Sequence, residues 1–155
     1  MASQTQDFEA RASIVIAARP GEVWDALTDP AEIRQYMFGT TVESDWTEGA
    51  PITWRGEWQG RPYEDKGRIT RVELSKVLQY THFSPPSGAA DEPEDYHVVT
   101  VMLAQDPQGT QVTLTQSGNA SEEARDHSQD NWRAMLEALK EHIDGRTQEM
   151  AREAA

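Results

Sequence analysis

The feature that most constrains this chain is a stripe of apolar side chains near its end, where Met135, Leu136, Leu139 and Ile143 follow Trp132 at offsets of three, four, seven and eleven. That spacing puts them on one face of a long α-helix and leaves the opposite face polar. Such a helix must lay its stripe against another layer. The only material available is the run of strand-like segments that precedes it.

Ala12 to Ala18 reads as a short apolar strand that ends at Arg19-Pro20-Gly21. Pro20 suits the first position of a helix, where no N–H is needed, and Val23, Trp24 and Leu27 give that helix an apolar side. It must stop before Pro30, and Asp29-Pro30-Ala31-Glu32 restarts it: Asp29 can cap, and Glu32 stands where a capping box wants an acid. Ile33, Tyr36, Met37 and Phe38 are the apolar residues of this second piece.

From Thr40 the period changes to two. Ile52, Trp54, Gly56 and Trp58 alternate with Thr53, Arg55 and Glu57, so one strand face is aromatic and the other charged. Gln59-Gly60-Arg61-Pro62 reads as a turn into Tyr63 to Val72, whose alternation falters near Gly67, as at a bulge. Leu78, Tyr80 and His82 share a face of the next strand, Lys76 to Phe83. Ser84 to Asp95, with three prolines and four acids, is predicted to be a long solvated loop. His97 to Leu103 and Thr110 to Gln116 make a last hairpin across Asp106-Pro107-Gln108-Gly109. Asn119 or Ser121 can cap the closing helix, Glu122 and Glu123 suit its first turn, and Gly145 is the expected stop.

This order predicts one α+β domain over residues 12–144, a curved antiparallel sheet wrapped around a long C-terminal helix with an internal cavity, flanked by frayed segments 1–11 and 145–155. At 155 residues the chain can bury about 70% of the surface its unfolded form exposes, so it needs neither disulfide nor metal to fold. It contains no cysteine, which excludes a thiol nucleophile, a redox pair and a thiolate metal site. Its formal charge of −13 repels phosphates and anionic membranes, which argues against nucleic-acid binding. No run reaches the roughly 20 apolar residues of a membrane span, and the opening residues are polar and acidic. The expectation is a cytoplasmic protein without membrane insertion.

Aromatic side chains aimed inward from several strands, with polar tips among them, either fill a core or line a small-molecule pocket of a few hundred to about 1,000 Å³. The residues in question are Trp54, Trp58, Tyr80, Leu114, Trp132 and Met135, with His82 as a polar orienting group. Arg55 and Glu57 alternate away from the tryptophans, while Asp65, Lys66 and Arg68 lie near the bulge and can reach an opening. A catalytic reading needs a general acid or base, for which His82 and Tyr80 are the candidates; the alternative for His82 is a hydrogen-bonded core or rim residue. No serine stands in a nucleophile elbow, no glycine motif cradles phosphate, and no cofactor is implied. His97, His127 and His142 lie on different elements without metal-ligand spacing, so no metal is expected, and His127 and His142 are assigned to the helix's polar side.

The segment Arg19-Pro20-Gly21-Glu22-Val23-Trp24-Asp25-Ala26-Leu27-Thr28-Asp29-Pro30 resembles the "xPxxVWxALTDP" opening of the activator of heat-shock protein 90 ATPase homologue-like proteins, within the START/SRPBCC helix-grip superfamily. Gly109 to Gly118 is similar to that family's last strand, and Asn131-Trp132 through Leu136 and Leu139 to its closing "GWxxxLxxL", with Asn131 where glycine is common. The resemblance spans about Ala12 to Asp144 and implies a β-α-α-β6-α fold with a hydrophobic tunnel under the last helix. It does not imply a single activity. Members bind lipids, polyketides, hormones and other apolar molecules, and some are cyclases or aromatases. The co-chaperone that names the family carries a separate N-terminal domain for which this chain has no room.

The first functional expectation is therefore binding of a hydrophobic small molecule, lipid-like or aromatic. An enzyme of the polyketide cyclase or dehydratase kind, using Tyr80 and His82 in the same cavity, is the alternative. A chaperone-associated role is a third reading, and no protein partner is identifiable.

Overall fold

The computed structural model describes residues 8–37, 39–58, 60–83 and 96–154, with Trp58 and 146–154 as backbone alone. The predicted loop at 84–95 lies outside them, as does Phe38. The elements run β1 (Phe8–Ile16), α1 (Pro20–Thr28), α2 (Pro30–Tyr36), β2 (Thr41–Ser44), β3 (Pro51–Trp58), β4 (Arg61–Glu73), β5 (Val77–His82), β6 (His97–Asp106), β7 (Gly109–Asn119) and α3 (Glu122–Ala154). This is the expected β-α-α-β6-α order. All neighbours in the seven-stranded sheet are antiparallel, in the order β1-β7-β6-β5-β4-β3-β2.

Local chemistry sets the two short helices. Pro20 and Pro30 open them, and Asp29 serves both: its N–H bonds Asp25 O at 2.9 Å to close α1, and its Oδ1 accepts from Ala31 N at 2.9 Å to start α2. Glu32, in the capping-box position, also reaches across to His142 Nε2 at 3.0 Å. His142 therefore faces inward, 12% exposed and 5.8 Å from the Tyr36 ring, and not outward as its neighbours suggested. An imidazole paired with a carboxylate and packed against an aromatic ring can occupy a helix position that an isolated polar group could not.

The sheet bends along β4. The first part of β4 pairs with β3, the last part with β5, and the ladder slips between Ile69 and Arg71. At Gly67 a Cβ would stand 1.7 Å from Thr81 O, so the backbones of β4 and β5 approach there as only glycine permits. The turn before β3 is clamped to the same bend, with Gly49 N to Ile69 O and Ile69 N to Ala50 O both at 2.8 Å. Bulge and clamp together curl the sheet around α3.

α3 lies chiefly against β1 and β7. Leu136, Leu139 and Ile143 are at most 1% exposed, and below them Ala10, Ala12, Ile16, Val112 and Leu114 are at most 4% exposed. Complete burial of such side chains contributes about 1.5–3 kcal/mol each. The capping choice is decided: Ser121 Oγ accepts from Ala124 N at 3.1 Å, whereas Asn119 bonds Phe8 O at 2.8 Å and accepts from Ser128 Oγ at 2.9 Å. Asn119 thereby holds β1 and α3 to β7.

Regular structure extends past both expected domain limits, residues 12 and 144. β1 begins at Phe8, because β7 continues to Asn119 and supplies partners as far as Phe8. α3 passes through Gly145 to Ala154. Glycine ends a helix by adopting positive φ, and Gly145 is not among the positive-φ residues.

Candidate functional site

Two spaces lie between sheet and helices. The first is the more enclosed of the two, about 30 Å³, and is walled by Trp46, Trp54, Tyr80, Trp132 and Met135 with Tyr36 and Met37 at the end of α2. The second is an open cleft of about 350 Å³ lined by Thr40, Tyr63, Gln116, Ser128 and Asn131. Met37, Trp132 and Met135 belong to both, so these side chains form the partition. The expected internal pocket of several hundred Å³ is thus divided. Large aromatic rings and a flexible methionine occupy most of the volume that the curved sheet encloses, leaving room inside for about one water.

The partition is held by polar contacts at its rim. Trp132 Nε1 donates to Gln116 Oε1 at 2.5 Å, and the Tyr63 and Thr40 hydroxyls are 2.7 Å apart. Tyr36 donates to Ala26 O at 2.8 Å. Burial pushes the hydroxyls of both Tyr36 and Tyr80 well above the usual phenol range; at Tyr36 the neighbouring Tyr80 and Glu32 add to it. Burial therefore favours the neutral hydroxyl of Tyr80 over the phenolate.

Of the residues singled out from sequence, Trp54, Tyr80, Trp132 and Met135 converge on the enclosed void. Leu114 does not; it is fully buried beneath the helix stripe and lines neither space. The side chain of Trp58 lies outside the described residues. His82 shares the face of Tyr80 as expected, but it lines neither space. Its Nε2 is 2.9 Å from Asp65 Oδ2, and its ring stands edge-on to Trp54 at 4.9 Å. His97 is its direct cross-strand partner, with ring centroids 6.5 Å apart and Nδ1 2.8 Å from Ser117 O.

Several site residues were missed. Gln116 follows Leu114 on the same strand face, so a polar residue in an inward position was a signal available in the sequence. Asp65, which the sequence placed near an opening, was not among those missed; it faces inward because it pairs directly with Trp54. Trp46 had no signal: it sits in the turn after β2 with φ of 58°, a strained setting for a bulky residue. Arg55 is exposed as expected, 2.8 Å from Glu43 and 2.5 Å from Glu64, and Arg68 donates to Gly49 O at 2.6 Å. Among the described residues no group of three or more His, Asp or Glu side chains is placed to hold a metal, and no helix is long and apolar enough to cross a membrane.

Residues 17–144 match the family model for activator of Hsp90 ATPase homolog 1-like protein. The chain belongs to this family. ChR145 from Cytophaga hutchinsonii is similar to it at 48% identity with a TM-score of 0.80, over 90% of this chain and 96% of that one. MLL2253 from Mesorhizobium loti matches at 24% identity and a TM-score of 0.72, over 88% and 96%. CalU16 from Micromonospora echinospora matches at 20% identity and 0.67, over 97% and 93%; these last two likenesses are of fold. No curated protein matches the sequence significantly. Family and fold agree with the helix-grip architecture.

Proposed function

We propose that this protein binds a hydrophobic small molecule, aromatic or lipid-like, in the space between the sheet and α3, entering through the cleft beside Trp132. One observation carries the reading: the enclosed void and the open cleft share Met37, Trp132 and Met135 and are otherwise separate. Rotating one indole and one thioether out of the partition joins the two spaces into a volume suited to a small ligand. Methionine adapts readily to such changes. Trp54 and Tyr80, with ring centroids 5.2 Å apart, would then face the ligand.

A fluorescence titration with N-phenyl-1-naphthylamine, alongside native mass spectrometry of freshly purified protein, tests it. The expected result is saturable binding of one probe molecule, weakened several-fold by Trp54→Ala in a variant that still melts cooperatively. Absence of binding across an apolar probe panel, with no co-purifying molecule, would remove the reading. Assaying ATPase stimulation on a bacterial heat-shock protein 90 separates it from a co-chaperone role; no stimulation is expected.

A further inference from the structure

Asp65 presents a polar atom that no described residue uses. Its Oδ2 is bonded to His82 Nε2 at 2.9 Å, but Oδ1 is buried and has no hydrogen-bond partner among the described residues. Leaving a buried acceptor unsatisfied costs about 1–3 kcal/mol, so each such atom calls for an explanation. The two histidines beside it sharpen the question. His97 Nδ1 lies against the Ser117 carbonyl, which can only accept, so this nitrogen carries the proton. His82 Nε2 lies against a carboxylate and likewise donates. In their neutral forms both rings are left with a bare nitrogen, Nδ1 of His82 and Nε2 of His97. The cluster offers three acceptors, and among the described residues none donates to Asp65 Oδ1.

Its position ties it to the ligand space. Asp65 follows Tyr63, a wall of the cleft, by two residues on the same face of β4; His82 follows Tyr80, a wall of the void, by two residues on the same face of β5. Trp54 lines the void and touches the His82 ring. The side chains of His82 and Asp65 remain 27% and 16% exposed, so a solute can reach them.

We propose that the Asp65–His82–His97 cluster anchors the head group of an organic cation, a protonated amine attached to an apolar or aromatic body. An ammonium combines two or three donors with a positive charge, as no neutral or anionic group does, at a site where no described residue donates to Asp65 Oδ1. The nearby Trp54 and Tyr80 rings favour a cation at their faces as well. The formal charge of −13 raises the local concentration of such ligands. The inference rests on the binding reading above and specifies the ligand's chemistry.

Three naphthalene compounds of nearly one shape test it by displacement of N-phenyl-1-naphthylamine at neutral pH: 1-naphthylmethylamine, 1-ethylnaphthalene and 1-naphthylacetate. The amine is expected to bind about tenfold more tightly than the ethyl compound, and the acetate most weakly, the size expected of a charge-assisted hydrogen bond. Asp65→Asn should bring the amine and ethyl compounds within about twofold of each other by weakening the amine. His82→Phe, which keeps an aromatic edge on Trp54, provides a second variant and should cut the preference several-fold should Asp65→Asn fail to fold. If the ethyl compound binds and the amine binds no better, the inference is wrong and the pocket reading stands. A preference that survives Asp65→Asn but vanishes at about 0.5 M salt would assign it to the general surface charge and overturn the inference. If none of the three displaces the probe because no probe binds, both readings fall together.

Discussion

Trp132 on α3 and Gln116 on β7 are joined by a hydrogen bond from the indole N–H to the side-chain carbonyl, 2.5 Å long, at the edge where the enclosed void meets the open cleft. Gln116 is 7% exposed and pairs across β1 with Ala10, so it is a fixed post, while the indole is the part that can move. The bond acts as a latch on the partition.

Gln116→Leu removes the latch with little change in volume. Stopped-flow fluorescence with N-phenyl-1-naphthylamine is expected to show association several-fold faster than in the parent, with thermal stability lowered by about 1 kcal/mol, the net worth of one hydrogen bond. An unchanged association rate would mean that Trp132 is not the door.

Gly67→Ala places a methyl group 1.7 Å from Thr81 O at the bend of β4. Backbone, not a flexible side chain, is in the way, so β4 and β5 must separate. Urea titration should show a loss of about 3 kcal/mol or more, or no folded protein.

Gly145→Ala should act in the opposite sense. The position is an exposed interior residue of α3, and nothing lies within 4 Å of the added methyl. Replacing a helical glycine there is expected to stabilise the protein by about 0.5–1 kcal/mol, read as a higher melting temperature.

Tyr36 makes the protein sensitive to alkali. Burial first, then Tyr80 and Glu32, raise its hydroxyl above the ordinary 10.0. The folded state therefore holds this proton more tightly than the unfolded state, so the contribution is whole below pH 10.0 and is lost as the pH climbs from there toward the folded value. Tyr36→Phe should flatten that part of the stability profile above pH 10.0, at a cost near 1 kcal/mol in neutral solution from the lost bond to Ala26 O. Chemical denaturation repeated from neutral to strongly alkaline pH measures both effects.

Much of the fold was legible because it is written in local periodicities. The offsets from Trp132 to Ile143 name the buried face of α3; alternation through Ile52 and Trp54 and through Leu78, Tyr80 and His82 names the inner faces of β3 and β5; and Asp29 between its proline-started helices marks one cap shared by two elements. A period of 3.6 or of two needs only neighbouring residues to be recognised. The site was legible in part for the same reason: four of its aromatic and methionine side chains stand on faces that these two periodicities identify.

What tertiary structure decided depends on residues far apart in the chain meeting. His142 turns inward because Glu32, 110 positions earlier, waits for it. His82 and His97 face each other only through the register of β5 on β6, and Asp65 meets His82 only because β4 bends at Gly67. Gln116 became a latch when α3 brought Trp132 over it. The size of the void was the least readable quantity, since a cavity is the small difference between the volume a curved sheet encloses and the volume of the side chains pointing into it. No local pattern carries that difference; it exists only once every wall is in place.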